Sequence, residues 1–125
     1  MSAGSKSHRV LVVDDNVGLA ENIAEILELE GHAAVVATSA EEALAKLEQA
    51  GPDVLVTDYR LPGMSGAALV RRLREAGFVV HAIVISAYTD ERTIEDARNA
   101  GAAFVAKPVD FEALGRLIDR SEGNA

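Results

Sequence analysis

The sequence predicts an α/β domain: a doubly wound parallel sheet of five strands, in a (βα)5 arrangement, with helices on both faces. Three observations predict it. Apolar, β-branched runs of strand length alternate five times with amphipathic helical stretches within 125 residues. Glycines stand where several of those helices would stop. Each crossover is also too long for a hairpin, so successive strands must run parallel.

The elements follow in order. Arg9 to Asp14 (RVLVVD) is a nearly continuous apolar run, the pattern of a strand covered on both faces. Leu19, Ile23, Ile26 and Leu27 then repeat at helical spacing, and Gly31 sits at a helix C-cap position. Ala33 to Thr38 is the second strand. Ser39-Ala40-Glu41-Glu42 has the form of a capping box, opening a helix that turns Leu44 and Leu47 inward. Asp53 to Asp58 (DVLVTD) is the third strand, and the helix carrying Leu69, Val70 and Leu73 ends at Gly77. Ala82 to Ser86 is the fourth strand, followed by a helix from about Asp90 to Ala100 and a stop at Gly101. Ala103 to Ala106 is a short fifth strand, and a last helix runs from about Asp110 to Arg120. The expected organisation is a flexible N-terminus over 1–8, one domain over 9–120 and a flexible C-terminus over 121–125, with no linker, repeat or low-complexity segment.

Composition excludes several functions. A formal net charge of −8, from 12 Lys and Arg against 20 acids, offers no basic face to displace counterions from nucleic acid. With no cysteine, neither a disulfide framework nor a thiol nucleophile is available. No apolar run approaches the ~20 residues that span a bilayer, and Met1 to Ser7 lacks an apolar signal core. A cytoplasmic protein with no membrane association is expected. His8, His32 and His81 lack metal-ligand spacing and are expected at the surface or periphery.

In such a fold, chemistry gathers at the carboxyl ends of the strands. The predicted strands end in Asp14-Asp15, Asp58, Ser86 and Ala106-Lys107-Pro108, so these polar groups converge on one corner. Two unit charges ~4 Å apart repel by roughly 4 kcal/mol at an effective dielectric near 20, so three carboxylates there imply a cation. Oxygen ligands without His or Cys favour a hard ion, and few protein ligands favour Mg²⁺ over Ca²⁺. Lys107 adds a compact positive charge suited to a phosphoryl oxygen or a carboxylate. Taken singly, each residue has a plainer role: an aspartate caps helices and loops, and Lys-Pro makes turns. The ordered set at four strand ends is what points to chemistry.

That set carries a resemblance. VLVVDDN, LVTDYRLPGMSG, IVISA and GAAFVAKPV, over about Arg9 to Ile118, resemble the signatures of bacterial response regulator receiver domains. The resemblance implies a flavodoxin-like strand order of 2-1-3-4-5. It implies a phosphoacceptor of two-component signalling rather than a turnover enzyme, with self-catalysed phosphotransfer and slow autodephosphorylation. Asp58 would take the phosphoryl group from the phosphohistidine of a sensor histidine kinase or a phosphotransfer protein. Asp15 and Asp58 would ligate Mg²⁺ (Mn²⁺ as an alternative ion), together with the backbone carbonyl of Arg60, and Asp14 would act through water. Lys107 would neutralise phosphoryl charge. Ser86 and Phe104 would switch, and helix four, strand five and helix five, around Tyr88, Arg98, Ala103, Val105 and Leu114, would signal to a downstream effector, with a homodimer through that face as an alternative. Family members often carry Tyr where Phe104 stands, so a hydroxyl-based readout is lost here. Arg60 and Tyr88 occupy positions that tune phosphate lifetime, and their bulk predicts slow hydrolysis. Lys107-Pro108 is a candidate cis peptide.

Two rivals have distinct requirements. A phosphatase of the haloacid-dehalogenase kind places its nucleophile at the end of strand one with a second Asp two residues on, but position 16 here is Asn. A flavodoxin-like cofactor binder needs a phosphate-cradling loop rich in Ser, Thr and Gly after strand one, where this chain has two acids. A third alternative, a degenerate receiver kept only for interaction, fits poorly with the intact acids, Ser86 and Lys107.

Overall fold

A computed structural model describes residues 7–123. Its elements, in order, are β1 (Arg9–Val13), α1 (Val17–Leu29), β2 (Ala33–Ala37), α2 (Ala40–Ala50), β3 (Val54–Asp58), β4 (Arg60–Leu61), β5 (Met64–Ser65), α3 (Gly66–Glu75), β6 (His81–Ser86), α4 (Glu91–Asn99), β7 (Ala102–Ala106) and α5 (Phe111–Gly123). Five strands form one parallel sheet in the order β2-β1-β3-β6-β7. The predicted fourth and fifth strands are thus β6 and β7, and the strand order is the expected one. A short antiparallel hairpin, β4 with β5, was not predicted. Its strands are two residues each, too short for any periodicity to register.

Alternation along each strand divides the core. Leu11, Val13, Leu55, Ala82 and Val84 face one side, against α2, α3 and α4. Val10, Val12, Val54, Val56, Ile83 and Ile85 face the other, against α1 and α5. The anchoring is uneven. α1 buries Ile23 and Leu27, and α3 buries Leu69, Val70 and Leu73. Each fully buried residue of this kind contributes about 1.5–3 kcal/mol. α4 fully buries only Thr93 and Ala97, so apolar packing holds it lightly.

The helix starts carry their caps. Ser39 Oγ accepts from the Glu42 amide at 3.1 Å. The reciprocal half of the predicted capping box is displaced by one residue: the Glu42 carboxylate accepts from the amide of Thr38, at 2.7 Å, and from its hydroxyl. Asn16 and Asp90 cap α1 and α4, and Gly31, Gly77 and Gly101 follow their helices at positive φ.

Two expectations are corrected. His8 is buried rather than peripheral: its amide donates to His32 Nδ1 at 3.0 Å, and its ring Nδ1 lies 3.1 Å from Asp53 Oδ2. Asp53 Oδ1 also accepts from the Arg9 amide, so one carboxylate pins the start of β1. Second, Val105 and Leu114 belong to the core and cannot form a contact surface. Their strand and helix positions face the core on the α1–α5 side of the sheet instead of solvent. His32 and His81, by contrast, are half-buried at the periphery, and His81 Nε2 bonds to the Leu117 carbonyl at 2.9 Å. Met1–Lys6 and Asn124–Ala125 lie outside the described residues. Among the described residues, no helix is long and apolar enough to cross a membrane.

Candidate functional site

The topology reverses at β1, which has β2 on one side and β3 on the other. The register sets Val13 beside Thr57, Asp58 beside Ile85 and Ser86 beside Ala106. Four strands therefore end level, and the residues that follow them share one rim. Asp14, Asp15 and Asp58 each offer a carboxylate oxygen, all within 4.8 Å of one another. Asp14 and Asp58 are buried, while Asp15 is exposed.

Lys107 reaches into this group. Its Nζ lies 3.0 Å from Asp58 Oδ1 and 3.4 Å from Asp14 Oδ2. The other Asp14 oxygen accepts from the Asn16 amide at 2.9 Å, so both oxygens of that carboxylate are oriented. Burial pushes the Asp58 carboxyl above its ordinary range; the hydrogen bond from Lys107 opposes this, while the charges of Asp14 and Asp15 reinforce it. For Lys107, burial alone would lower the ammonium, but the bond to Asp58 and the charges of Asp58 and Asp14 outweigh it and hold it above the usual lysine value. Three carboxylates facing one ammonium leave surplus negative charge. That oxygen-only donor set fits a hard divalent cation.

Ser86 is buried, and its Oγ accepts from the Tyr88 amide at 2.9 Å, forming a tight turn ahead of α4. Phe104 is half-buried against the core cluster that α2, α3 and α4 cover. The Lys107–Pro108 peptide is cis. Arg60, at the start of β4, and Tyr88, on the loop after β6, are both exposed, and the guanidinium carbon lies over the Tyr88 ring 4.2 Å from its centroid. The sequence named both residues without indicating that they stack on each other.

A model of the response regulator receiver domain family matches residues 10–119. The chain belongs to the receiver domain family. It is 42% identical over 112 residues to a response regulator receiver protein of Anaeromyxobacter sp. (strain Fw109-5), covering 89% of this chain and 46% of that protein. It is 34% identical to the transcriptional regulatory protein FixJ of Rhizobium meliloti, covering 91% of this chain and 56% of FixJ. A CheY-like receiver domain protein of Methanospirillum hungatei superposes with a TM-score of 0.84 at 29% identity, over 96% of this chain and all of that one (100%). The chain spans about half the length of the first two relatives. As a receiver domain it is a phosphoacceptor module of the two-component type.

Sequence reasoning missed several residues that shape this rim. Gly66 N donates to the Tyr59 carbonyl at 2.6 Å. A Cβ at Gly66 would collide with the Asp58 carbonyl oxygen and stand 3.1 Å from Thr57 Cγ2. Tyr59, Arg71 and Asp96 form a polar network behind the site. The Ser-Gly pair seven and eight residues beyond Asp58 was a usable signal for Gly66. Nothing local marks the network, whose members come from the residue after β3 and from α3 and α4.

Proposed function

We propose that this domain is a phosphoacceptor switch in which Asp58 takes a phosphoryl group from the phosphohistidine of a sensor histidine kinase or phosphotransfer protein. The observation that carries the reading is the Asp58–Lys107 ion pair, 3.0 Å long, within a cluster of three strand-end carboxylates. An Asp58 carboxylate oxygen forms the new bond to phosphorus as the phosphorus–nitrogen bond to the donor imidazole breaks. The departing ring nitrogen keeps the electron pair of the broken bond, and with the other ring nitrogen protonated the products are an acyl phosphate and a neutral histidine. Lys107 stays protonated and is placed to neutralise a phosphoryl oxygen, where fixed charge is most effective in phosphoryl transfer. Asp15, Asp58 and the Arg60 carbonyl would hold Mg²⁺ or Mn²⁺, with Asp14 acting through water; the bound ion supplies charge neutralisation at the phosphoryl oxygens. The acyl phosphate then draws on Ser86 and Phe104 to alter an exposed surface around Tyr88 and Arg98, changing effector binding or homodimer formation. A cytoplasmic setting suits this role.

Incubation with acetyl phosphate and Mg²⁺, followed by intact mass measurement, tests the reading. One added phosphoryl group, labile and absent with chelator, is expected. Sustained hydrolysis of phosphomonoesters would point to a phosphatase instead, and no adduct under any condition would sink the proposal.

The Arg60–Tyr88 stack supports a second element of the reading, a shield over the acyl phosphate. A cation–π contact at an exposed site is worth about 0.5–1 kcal/mol, which corresponds to a roughly two- to fivefold change in rate. Arg60→Ala and Tyr88→Ala are each expected to shorten the aspartyl-phosphate half-life by that factor. Because the two side chains act through one contact, the double variant is expected to lose no more than either single one. Additive losses, or unchanged half-lives, would remove the stack from the account.

A further inference from the structure

Tyr59 directly follows Asp58, and its main chain is clamped from both sides. Its amide donates to the Ile85 carbonyl at 2.8 Å, and its carbonyl accepts from Gly66 N at 2.6 Å. With the backbone fixed, the ring is a stiff arm. The hydroxyl at its end donates to Asp96 Oδ2 on α4 at 2.7 Å. Arg71 of α3 pairs with the other Asp96 oxygen and donates to the Asp96 main-chain carbonyl at 3.2 Å. One carboxylate thus joins the residue after the phosphoacceptor to two helices.

This matters because the side chains that α4 buries are few. Thr93 and Ala97 are its fully buried residues, and both are small. Its N-terminal end is tethered to the site along a different path. Ser86 Oγ accepts from the Tyr88 amide, and Asp90, two residues on, caps the helix through the Thr93 amide and hydroxyl. A Ser86 hydroxyl that turns toward a phosphoryl group on Asp58 exchanges its bond to Tyr88 and loosens the segment leading into α4. The helix can then shift only if its other attachment, through Asp96, also gives.

We propose that Asp96 is a positioning residue: by bridging Tyr59 and Arg71 it holds α4 in the arrangement in which Asp58 pairs with Lys107, and so sets how readily Asp58 takes a phosphoryl group. The inference rests on the phosphoacceptor reading of Asp58. Where two arrangements are in equilibrium, removing a contact made in one shifts the population toward the other. Phosphoryl uptake that favours the second arrangement then rises with its population.

Asp96→Ala and Tyr59→Phe test this with two readouts. Each is expected to raise the rate of phosphoryl uptake from acetyl phosphate about fivefold. Amide exchange within α4 is expected to quicken by about tenfold, with β3 and β6 unchanged, because only the weakly anchored helix is released. A network that merely supports the fold would leave uptake unchanged or lower it. Faster exchange with unchanged or slower uptake therefore overturns the proposal, as does unchanged exchange in both variants. Failure of the phosphoacceptor reading is separately visible: the wild-type protein would take up no phosphoryl group, and that result would overturn this inference with it.

Discussion

Asp58→Asn is expected to abolish phosphoryl uptake and, in the absence of divalent metal, to make the domain more stable at neutral pH. The first effect follows from losing the attacking carboxylate oxygen. The second follows from the charge balance of the rim. The substitution keeps shape and leaves an amide oxygen for Lys107, but removes one of three mutually repelling carboxylates. At the separations and effective dielectric of such a site, the net relief is about 1–2 kcal/mol after the lost attraction to Lys107 is subtracted. That corresponds to a rise in Tm of roughly 5 °C for a domain of this size.

The pH dependence has a defined sign. Asp58 is held above its ordinary carboxyl range, chiefly by burial and then by Asp14 and Asp15 against the opposing pull of Lys107. A group whose pKa is raised in the folded state contributes stability below its unfolded pKa and loses it as pH climbs through the folded value. The advantage of Asp58→Asn is therefore largest at neutral pH and fades on acidification toward the normal aspartate range. Excess Mg²⁺ is expected to reverse the order, because binding to the folded site stabilises the wild-type cluster by mass action while the variant has lost a ligand. Denaturant melts at several pH values, with and without Mg²⁺, provide the measurement. An Asp58→Asn protein that melts below wild type at neutral pH without metal would show that the carboxylates do not repel as described.

The fold was legible because it is written in local chemistry. Runs such as Leu11-Val12-Val13 and Val54-Leu55-Val56 are fully buried on both faces of the sheet, so they are apolar without interruption and read as parallel strands. Ser39, Asp90 and the glycines at positive φ mark helix ends within a residue or two. The acidic cluster was legible for a different reason. In a parallel α/β sheet every strand's carboxyl end points the same way, so residues far apart in sequence are placed together by topology alone.

What sequence did not disclose depends on side-chain reach between elements. Arg60 and Tyr88 were named singly, but their stacking depends on β4 meeting the loop after β6. Tyr59 and Asp96 are separated by 37 residues, and an Asp on an acid-rich helix looks like any solvated acid. His8 was misjudged for the same reason: its partners His32 and Asp53 are 24 and 45 residues away. Val105 and Leu114 were misassigned to the signalling face because membership of a surface element was taken to mean exposure, whereas alternate residues of an edge strand and the apolar stripe of a surface helix still point into the core.

Gly66→Ala is expected to be the most damaging of the conservative substitutions near the site. Gly66 begins α3 directly beneath the phosphoacceptor, its amide bonded to the Tyr59 carbonyl at 2.6 Å. An added Cβ would collide with the Asp58 main-chain oxygen, and backbone cannot rotate aside as a flexible side chain can. Either α3 backs away, breaking the bond to Tyr59 and disturbing Leu69, Val70 and Leu73, or the end of β3 moves and carries Asp58 with it. Overpacking of a well-packed region costs about 3 kcal/mol when the neighbours are rigid, equivalent to a Tm lower by roughly 10 °C in a domain of this size. Displacement of the carboxylate by about an ångström is expected to slow phosphoryl uptake about a hundredfold. Gly18→Ala is the matched control. Its Cβ would meet only Asn16 Oδ1, at an ordinary 3.6 Å, and Gly18 lies within α1. There alanine is expected to gain about 0.5–1 kcal/mol from helix propensity. Thermal melts of the two variants separate the explanations: equal destabilisation would assign the loss to glycine flexibility in general, while damage confined to Gly66→Ala assigns it to the close approach between α3 and the backbone of Asp58.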